Sequence, residues 1–135
     1  MRVLTVIVNY KSATLVEACL ASLADERQRV PGLSVVVVDN DSQDGSAERL
    51  QTAIQTAGWQ DWADVRAMPV NGGFAYGVNA GVQPALQGRP GYDAFWLLNP
   101  DTYVRPGALA HLIAYLREHP AAAMVGSRLE DPDGT

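Results

Sequence analysis

Four valines in a row, Val35-Val36-Val37-Val38, run directly into Asp39-Asn40-Asp41-Ser42. A strand that is apolar on successive residues has no polar face to give to water, so both of its faces must be covered. The same pattern opens the chain in Val3-Leu4-Thr5-Val6-Ile7-Val8 and returns in Phe95-Trp96-Leu97-Leu98. Each run stops abruptly in polar residues, as buried parallel strands do at the carboxyl edge of a sheet.

Helical patterns separate these runs. Ser12 is placed to cap a helix reaching about residue 24, with Leu15, Cys19, Leu20 and Leu23 on one face, and Pro31-Gly32 ends it. Asp44 or Ser46 caps a second helix that buries Leu50, Ile54 and Ala57 and stops at Gly58. Residues 64–68 read as a weaker strand, 74–86 as a helix and 94–98 as a strand. Pro106 suits the first position of a helix carrying Leu109, Leu112, Ile113 and Leu116. Residues 122–127 read as a fifth strand. This β-α-β-α-β-α-β-α-β order predicts an α/β fold, with an open, mostly parallel twisted sheet and helices on both faces.

The 135 residues suit one domain spanning 1–135. The net charge is −5, with nine arginines and Lys11 as the only lysine. The absence of a basic cluster argues against a nucleic-acid partner. An anionic ligand would need local positive charge from an arginine, a helix N-terminus or a metal. The single Cys19 excludes an internal disulfide and reads as a small buried hydrophobe of a reducing compartment. One cysteine and two scattered histidines do not make a zinc site. No apolar stretch approaches the roughly 20 residues of a membrane span.

Three loops at predicted strand carboxyl ends can converge on one crevice. They are Asn9-Tyr10-Lys11-Ser12, Asp39-Asn40-Asp41-Ser42 and Asn99-Pro100-Asp101-Thr102. Asp101, behind a proline that fixes the turn, suits a hard divalent cation bridging to a phosphate. Its structural alternative is a cap, by Asp101 or Thr102, on the following helix. Asp39 can accept the N3–H of uracil or thymine in a charge-assisted bond, with an Asx-turn as its structural alternative. Asp41 and Asp44 read as turn and cap residues. Within Asn71-Gly72-Gly73-Phe74-Ala75-Tyr76-Gly77-Val78-Asn79-Ala80-Gly81, each glycine costs a helix roughly 1 kcal/mol against alanine. Close backbone approach to a ligand at a helix N-terminus would compensate, as would tight packing of Gly77 and Gly81 on the sheet.

With these motifs in order, the chain resembles the nucleotide-sugar-binding half of a family 2 glycosyltransferase with the GT-A fold, and especially the bacterial rhamnosyltransferase-like branch. The matching residues are Val8-Asn9-Tyr10, the run from Val38 to Ser46, Asn71-Gly72-Gly73-Phe74-Ala75 with Asn79 and Gly81, and Leu97-Leu98-Asn99-Pro100-Asp101-Thr102. The resemblance implies an inverting transferase. Its donor would be a nucleotide-diphosphate sugar, UDP- or dTDP-linked, with dTDP-rhamnose among the candidates. Its acceptor would be a saccharide or a lipid-linked saccharide in cell-surface polysaccharide synthesis.

It also implies roles. Val8, Asn9 and Tyr10 line the base pocket, Asp39 with Asn40 and Ser42 binds the base, and Asn71, Gly72, Gly73, Phe74 and Asn79 border the ribose and diphosphate. Asp101 is the acid of the family's D-x-D metal motif and would hold Mn²⁺ or Mg²⁺. Asn99 at the first position of that motif is expected to join the nucleotide site through a carbonyl oxygen or a water, but it brings no charge, so weaker metal binding is expected. The general base is expected beyond Thr135, because Glu130, Asp131 and Asp133 read as a turn. Such an enzyme would work in the cytoplasm. The inner face of the membrane is where it would meet a lipid-linked acceptor, by peripheral association of the full-length protein.

A signalling receiver domain is the rival reading, but it needs an acid pair after the first strand and a lysine on a late strand. A nucleotidyltransferase needs an early Gly-rich, basic loop, which Asn9-Tyr10-Lys11-Ser12 is not. A nucleotide-binding module without catalysis is the remaining alternative.

Overall fold

In the computed structural model, which describes residues 1–88 and 91–135, the two longest apolar runs lie side by side. β1 (Val3–Asn9) and β2 (Leu33–Asp39) pair in parallel from Val3 opposite Leu33 to Asn9 opposite Asp39. β4 (Ala94–Leu98) pairs with the other side of β1, and β3 (Ala63–Ala67) with the other side of β2, both in parallel. The order is β3-β2-β1-β4, so all four strands end at the same edge. β2 and β3 succeed one another to one side of β1, while β4 lies on the other. The reversal of winding therefore falls between β1 and β4, where parallel sheets open a crevice.

The connections are α1 (Ala13–Arg29), α2 (Ser46–Ala57) and α3 (Phe74–Gln87), with α4 (Ala108–Glu118) after β4. One face of the sheet, with Val3, Ile7, Val35 and Val37, packs with α1, α2 and α4 around Cys19, Leu20, Leu23, Leu50 and Ile113. The other, with Leu4, Val6, Val36 and Val38, is covered by α3. This is the predicted two-sided α/β architecture, and it explains why β1 and β2 are almost continuously apolar while β3 at the sheet edge alternates Asp64 and Arg66.

α3 lies with its backbone against the sheet. A Cβ on Gly77 would stand 2.6 Å from Val8 Cγ1, and one on Gly81 2.7 Å from Val6 Cγ1. Helix-on-sheet packing thus accounts for these two glycines. Pro84, inside α3, has no N–H to give the carbonyl of Ala80 four residues earlier. The Arg66 guanidinium reaches from β3 and bonds that carbonyl.

Several expectations are corrected. Residues 122–127 form no strand; Met124 is 89% exposed. α1 runs five residues past the expected end, to Arg29, because nothing before Pro31 breaks it. Its buried stripe uses Val16 in place of Leu15, which is exposed. Ala57 in α2 is exposed as well. Pro106 precedes the N-cap, Gly107, whose φ of 87° suits a glycine turn into α4. Trp62 is buried at the start of β3, with Trp59 stacked obliquely 5.4 Å away.

Candidate functional site

At the carboxyl ends of β1 and β2, four buried polar residues meet. Asn9 and Asp39 are register partners, and Asn9 Nδ2 donates to Asp39 Oδ1 at 2.7 Å. Ser42 Oγ donates to the same Oδ1 at 2.6 Å, and Ser42 N–H donates to Oδ2 at 3.2 Å. Ser42 Oγ in turn accepts the Lys11 N–H at 2.9 Å, and Asn9 Oδ1 accepts the Ser12 N–H at 3.1 Å. The loop after β1 is therefore stitched to the loop after β2 by side chains. Asp39 is 4% exposed and its Oδ1 is fully engaged. A carboxylate oxygen offers two lone-pair sites, and Oδ2 takes only the longer bond from Ser42.

The expected caps form differently. Ser12 makes no side-chain cap to α1 and donates instead to the Tyr10 carbonyl. Asp44 Oδ1 accepts from both the N–H and the hydroxyl of Ser46, and these bonds hold its carboxyl below the usual range. Lys11, Asp41 and Gln43 all have φ near 55°, a left-handed backbone that costs non-glycine residues energy. The buried Ser42 between the last two, fixed by four bonds, holds that geometry.

The loop before α3 joins the same edge. Asn40, 2% exposed, donates from Nδ2 to the Gly73 carbonyl at 2.8 Å. Asn71 Oδ1 accepts the Gly73 N–H at 3.0 Å. Gly73, with φ 89° and ψ −179°, is the N-cap of α3 and supplies no side chain to its first turn. Gly72 is needed because the Tyr76 ring lies where its Cβ would be, 2.3 Å away. Asn40 Oδ1 is buried with no hydrogen-bond partner among the described residues, as is Thr5 Oγ1. Tyr10, 47% exposed, and Phe74, 56% exposed, stand at the rim of this edge, and Val8 is buried beneath Gly77. Asn79 is exposed on the second turn of α3.

Beyond β4, Asn99 and Asp101 are exposed, in a turn closed by Thr102 N–H to the Asn99 carbonyl at 3.1 Å. Neither Asp101 nor Thr102 caps α4, which starts six residues after Thr102. That cap comes from Glu26 on α1, a residue that sequence reasoning missed. Glu26 accepts the Leu109 N–H at 2.9 Å and also the Gly107 N–H. The signal was present: Val16, Cys19, Leu23 and Glu26 follow helical spacing, so a carboxylate sits on a core stripe. Cys19 on that stripe has its thiol pushed up to about 12, first by burial and second by the charge of Asp101. Among the described residues, no group of three or more His, Cys, Asp or Glu side chains gathers into a metal cage.

Two concavities flank α1 and α2, the second of them beside the Lys11 and Ser12 end of this edge. One, apolar and about 700 Å³, runs between α1 and α2 along Leu20, Ala53 and Trp59, and the Glu17–Arg49 ion pair borders it. The other, about 240 Å³, is polar and lies where α1 and α2 begin.

The family model described as "Glycosyl transferase family 2" matches residues 5–135. Two curated proteins named N-acetylglucosaminyl-diphospho-decaprenol L-rhamnosyltransferase, from Mycobacterium tuberculosis strains CDC 1551 / Oshkosh and ATCC 25618 / H37Rv, are each 30% identical over 138 residues. The match covers 96% of this chain and 42% of theirs, so the chain spans about two fifths of their length. Among solved structures, the mannosyltransferase PcManGT from Pyrobaculum calidifontis, in complex with GDP-Man and Mn²⁺, superposes with a TM-score of 0.78 at 22% identity. That superposition covers 98% of this chain and 36% of PcManGT. S. aureus TarS 1-349 in complex with UDP gives 0.69 at 22% identity, over 89% of this chain and 33% of TarS.

Proposed function

The chain belongs to glycosyl transferase family 2, and we propose that the crevice between β1 and β4 binds the nucleoside diphosphate of a sugar donor. The observation that carries this reading is the stitched carboxyl edge. Asn9, Asp39 and Ser42 form one buried network there, Asn40 ties it to the N-terminus of α3, and Asp101 follows the strand on the far side of the winding reversal.

In this reading Asp39 Oδ2 accepts the imide N–H of uracil or thymine, with Tyr10 beside the base. Asn9 and Ser42 are supports: they keep the Asp39 carboxylate oriented and spend their own groups doing so. The buried, unpartnered Asn40 Oδ1 favours a ligand that brings a donor, such as a ribose hydroxyl. The uncapped first turn of α3, from Phe74 onward, offers N–H groups to an anion; the backbone of Asn71, Gly72 and Gly73 borders it, with the Gly73 N–H already held by Asn71, and Asn79 flanks it. Asp101 and Asn99 together offer one charged and one neutral oxygen on an exposed turn. That donor set fits Mn²⁺ or Mg²⁺ that keeps most of its waters and shares the diphosphate. When bound, such an ion would neutralise charge developing on the leaving diphosphate.

The name of the rhamnosyltransferase relatives favours a rhamnosyl donor, UDP- or dTDP-linked in this reading, and a lipid-linked saccharide acceptor. An acceptor of that kind would bring the whole protein to the inner face of a membrane from the cytoplasm. No helix of the described residues is long and apolar enough to cross one.

Calorimetric titration with UDP and dTDP, each with and without Mn²⁺, tests the reading. Metal-dependent binding is expected, abolished by Asp101→Ala and weakened roughly tenfold by Asp39→Ala, the loss of one charge-assisted bond. A folded chain that binds neither nucleotide under either condition would overturn it.

A further inference from the structure

The segment that carries Asp101 is gripped from behind by α1. Ser22 Oγ accepts the Val104 N–H at 3.0 Å while donating to the Cys19 carbonyl at 2.7 Å. The Glu26 carboxylate then takes the Gly107 and Leu109 N–H groups. Ser22 and Glu26 are both buried, Glu26 completely. Its nearest cation is Arg29, 4.0 Å away on a side chain half in solvent.

A fully buried carboxylate is costly, and a helix N-terminus compensates for only part of that cost. A leucine at 26 would complete the α1 stripe, and a serine or aspartate in the loop would cap α4 locally. The cap has instead been placed on a different element. Its effect is directional: Ser22 and Glu26 step along α1 as Val104, Gly107 and Leu109 step along the segment. Asp101 lies three residues before Val104, at the head of the same seam.

We propose that Glu26 is a positioning residue, which anchors the start of α4 to α1 and thereby sets where the 99–102 turn holds Asp101 at the sheet edge. The proposal rests on the reading that Asp101 serves the donor diphosphate.

Glu26→Gln keeps the volume but turns a donor toward two amides that need an acceptor. Ser22→Ala removes the Val104 bond alone and serves as the milder variant should Glu26→Gln not fold. Hydrogen–deuterium exchange on the ligand-free chain is expected to quicken over residues 102–109 in each variant, with β1 and β2 unchanged. In titrations with UDP and with dTDP, the gain in affinity that Mn²⁺ brings is expected to fall roughly tenfold, the low end of what loss of an outer support to a metal ligand costs. Affinity without metal should stay at the wild-type value, whereas a general loss of structure would lower both.

Unchanged exchange over 102–109, or an undiminished Mn²⁺ gain, overturns the proposal. Asp101→Ala, titrated in parallel, separates the two levels. If it keeps the Mn²⁺ gain, the role of Asp101 fails; if it loses the gain and Glu26→Gln does not, only the role of Glu26 fails. A wild-type chain with no Mn²⁺ gain overturns both.

Discussion

Asn9 and Asp39 end adjacent parallel strands as register partners, and the amide of the first donates to the carboxylate of the second at 2.7 Å. Both are buried, so the bond cannot be replaced by water. Asn9→Ala is expected to destabilise the chain by about 1–3 kcal/mol, the usual cost of leaving a buried polar group short of a partner. Asn9→Asp should cost more at pH 7, because it sets two carboxylates side by side. That pair raises a carboxyl pKa in the folded state, so the excess loss is full above the raised value and fades as pH falls and one group takes a proton. Thermal melts across pH 4–8 check both; equal stability of the two variants at pH 7 would refute the pairing.

Arg66 and Pro84 are coupled through the Ala80 carbonyl. Arg66→Ala leaves that carbonyl without a donor and is expected to cost about 1–3 kcal/mol. In a Pro84→Ala background the helix regains its own N–H at 84, so the same Arg66 change should cost measurably less. A double-mutant cycle by urea denaturation reads the coupling, and additive losses would count against it.

Gly77→Ala and Gly81→Ala each improve helix propensity by about 1 kcal/mol. Their new methyls would nonetheless fall within 2.7 Å of valine methyls on β1, which the buried sheet cannot move aside. Overpacking of this kind costs about 1–3 kcal/mol. Both variants are therefore expected to melt below the wild type. A rise in melting temperature for either would show that α3 does not rest on the sheet as described.

Glu17 and Arg49 form a two-pronged ion pair from α1 to α2, at 2.7 and 2.8 Å. The Arg49 hydrogen bond holds the Glu17 carboxyl below its usual 4.5. A lowered acid stabilises the fold fully above its unfolded value, and the contribution is lost as pH falls through the folded one. Because the pair faces solvent, the effect is small and screened by salt. Glu17→Gln should thus melt slightly lower than the wild type at pH 7, a gap that narrows steadily as pH falls below 4.5 and that closes in 1 M NaCl. A gap that does not change with pH would assign it to packing.

Continuous valine runs ending in Asn9 and Asp39 made the parallel sheet and its functional edge legible in the chain, because a strand with no polar face has few places to go. The β4 boundaries were legible for the same reason. The run at 122–127, Ala-Ala-Met-Val-Gly-Ser, forms no strand, and pairing is not a local property. Leu15 and Val16 were interchangeable by periodicity alone; which one is buried depends on where α1 meets the sheet.

Sequence by itself determined the layered α/β architecture, the shared edge of the three polar loops and the family, since all follow from the order and spacing of short motifs. Only the tertiary structure decided which polar groups are spent inside the protein. Asp39 shares its carboxylate with Asn9 and Ser42, Arg66 serves a carbonyl that Pro84 cannot, and Glu26 caps a helix more than eighty residues away. The physical reason is common to all three. A buried donor or acceptor must find a partner, and the partner is set by proximity in space, on which the spacing of residues along the chain is silent.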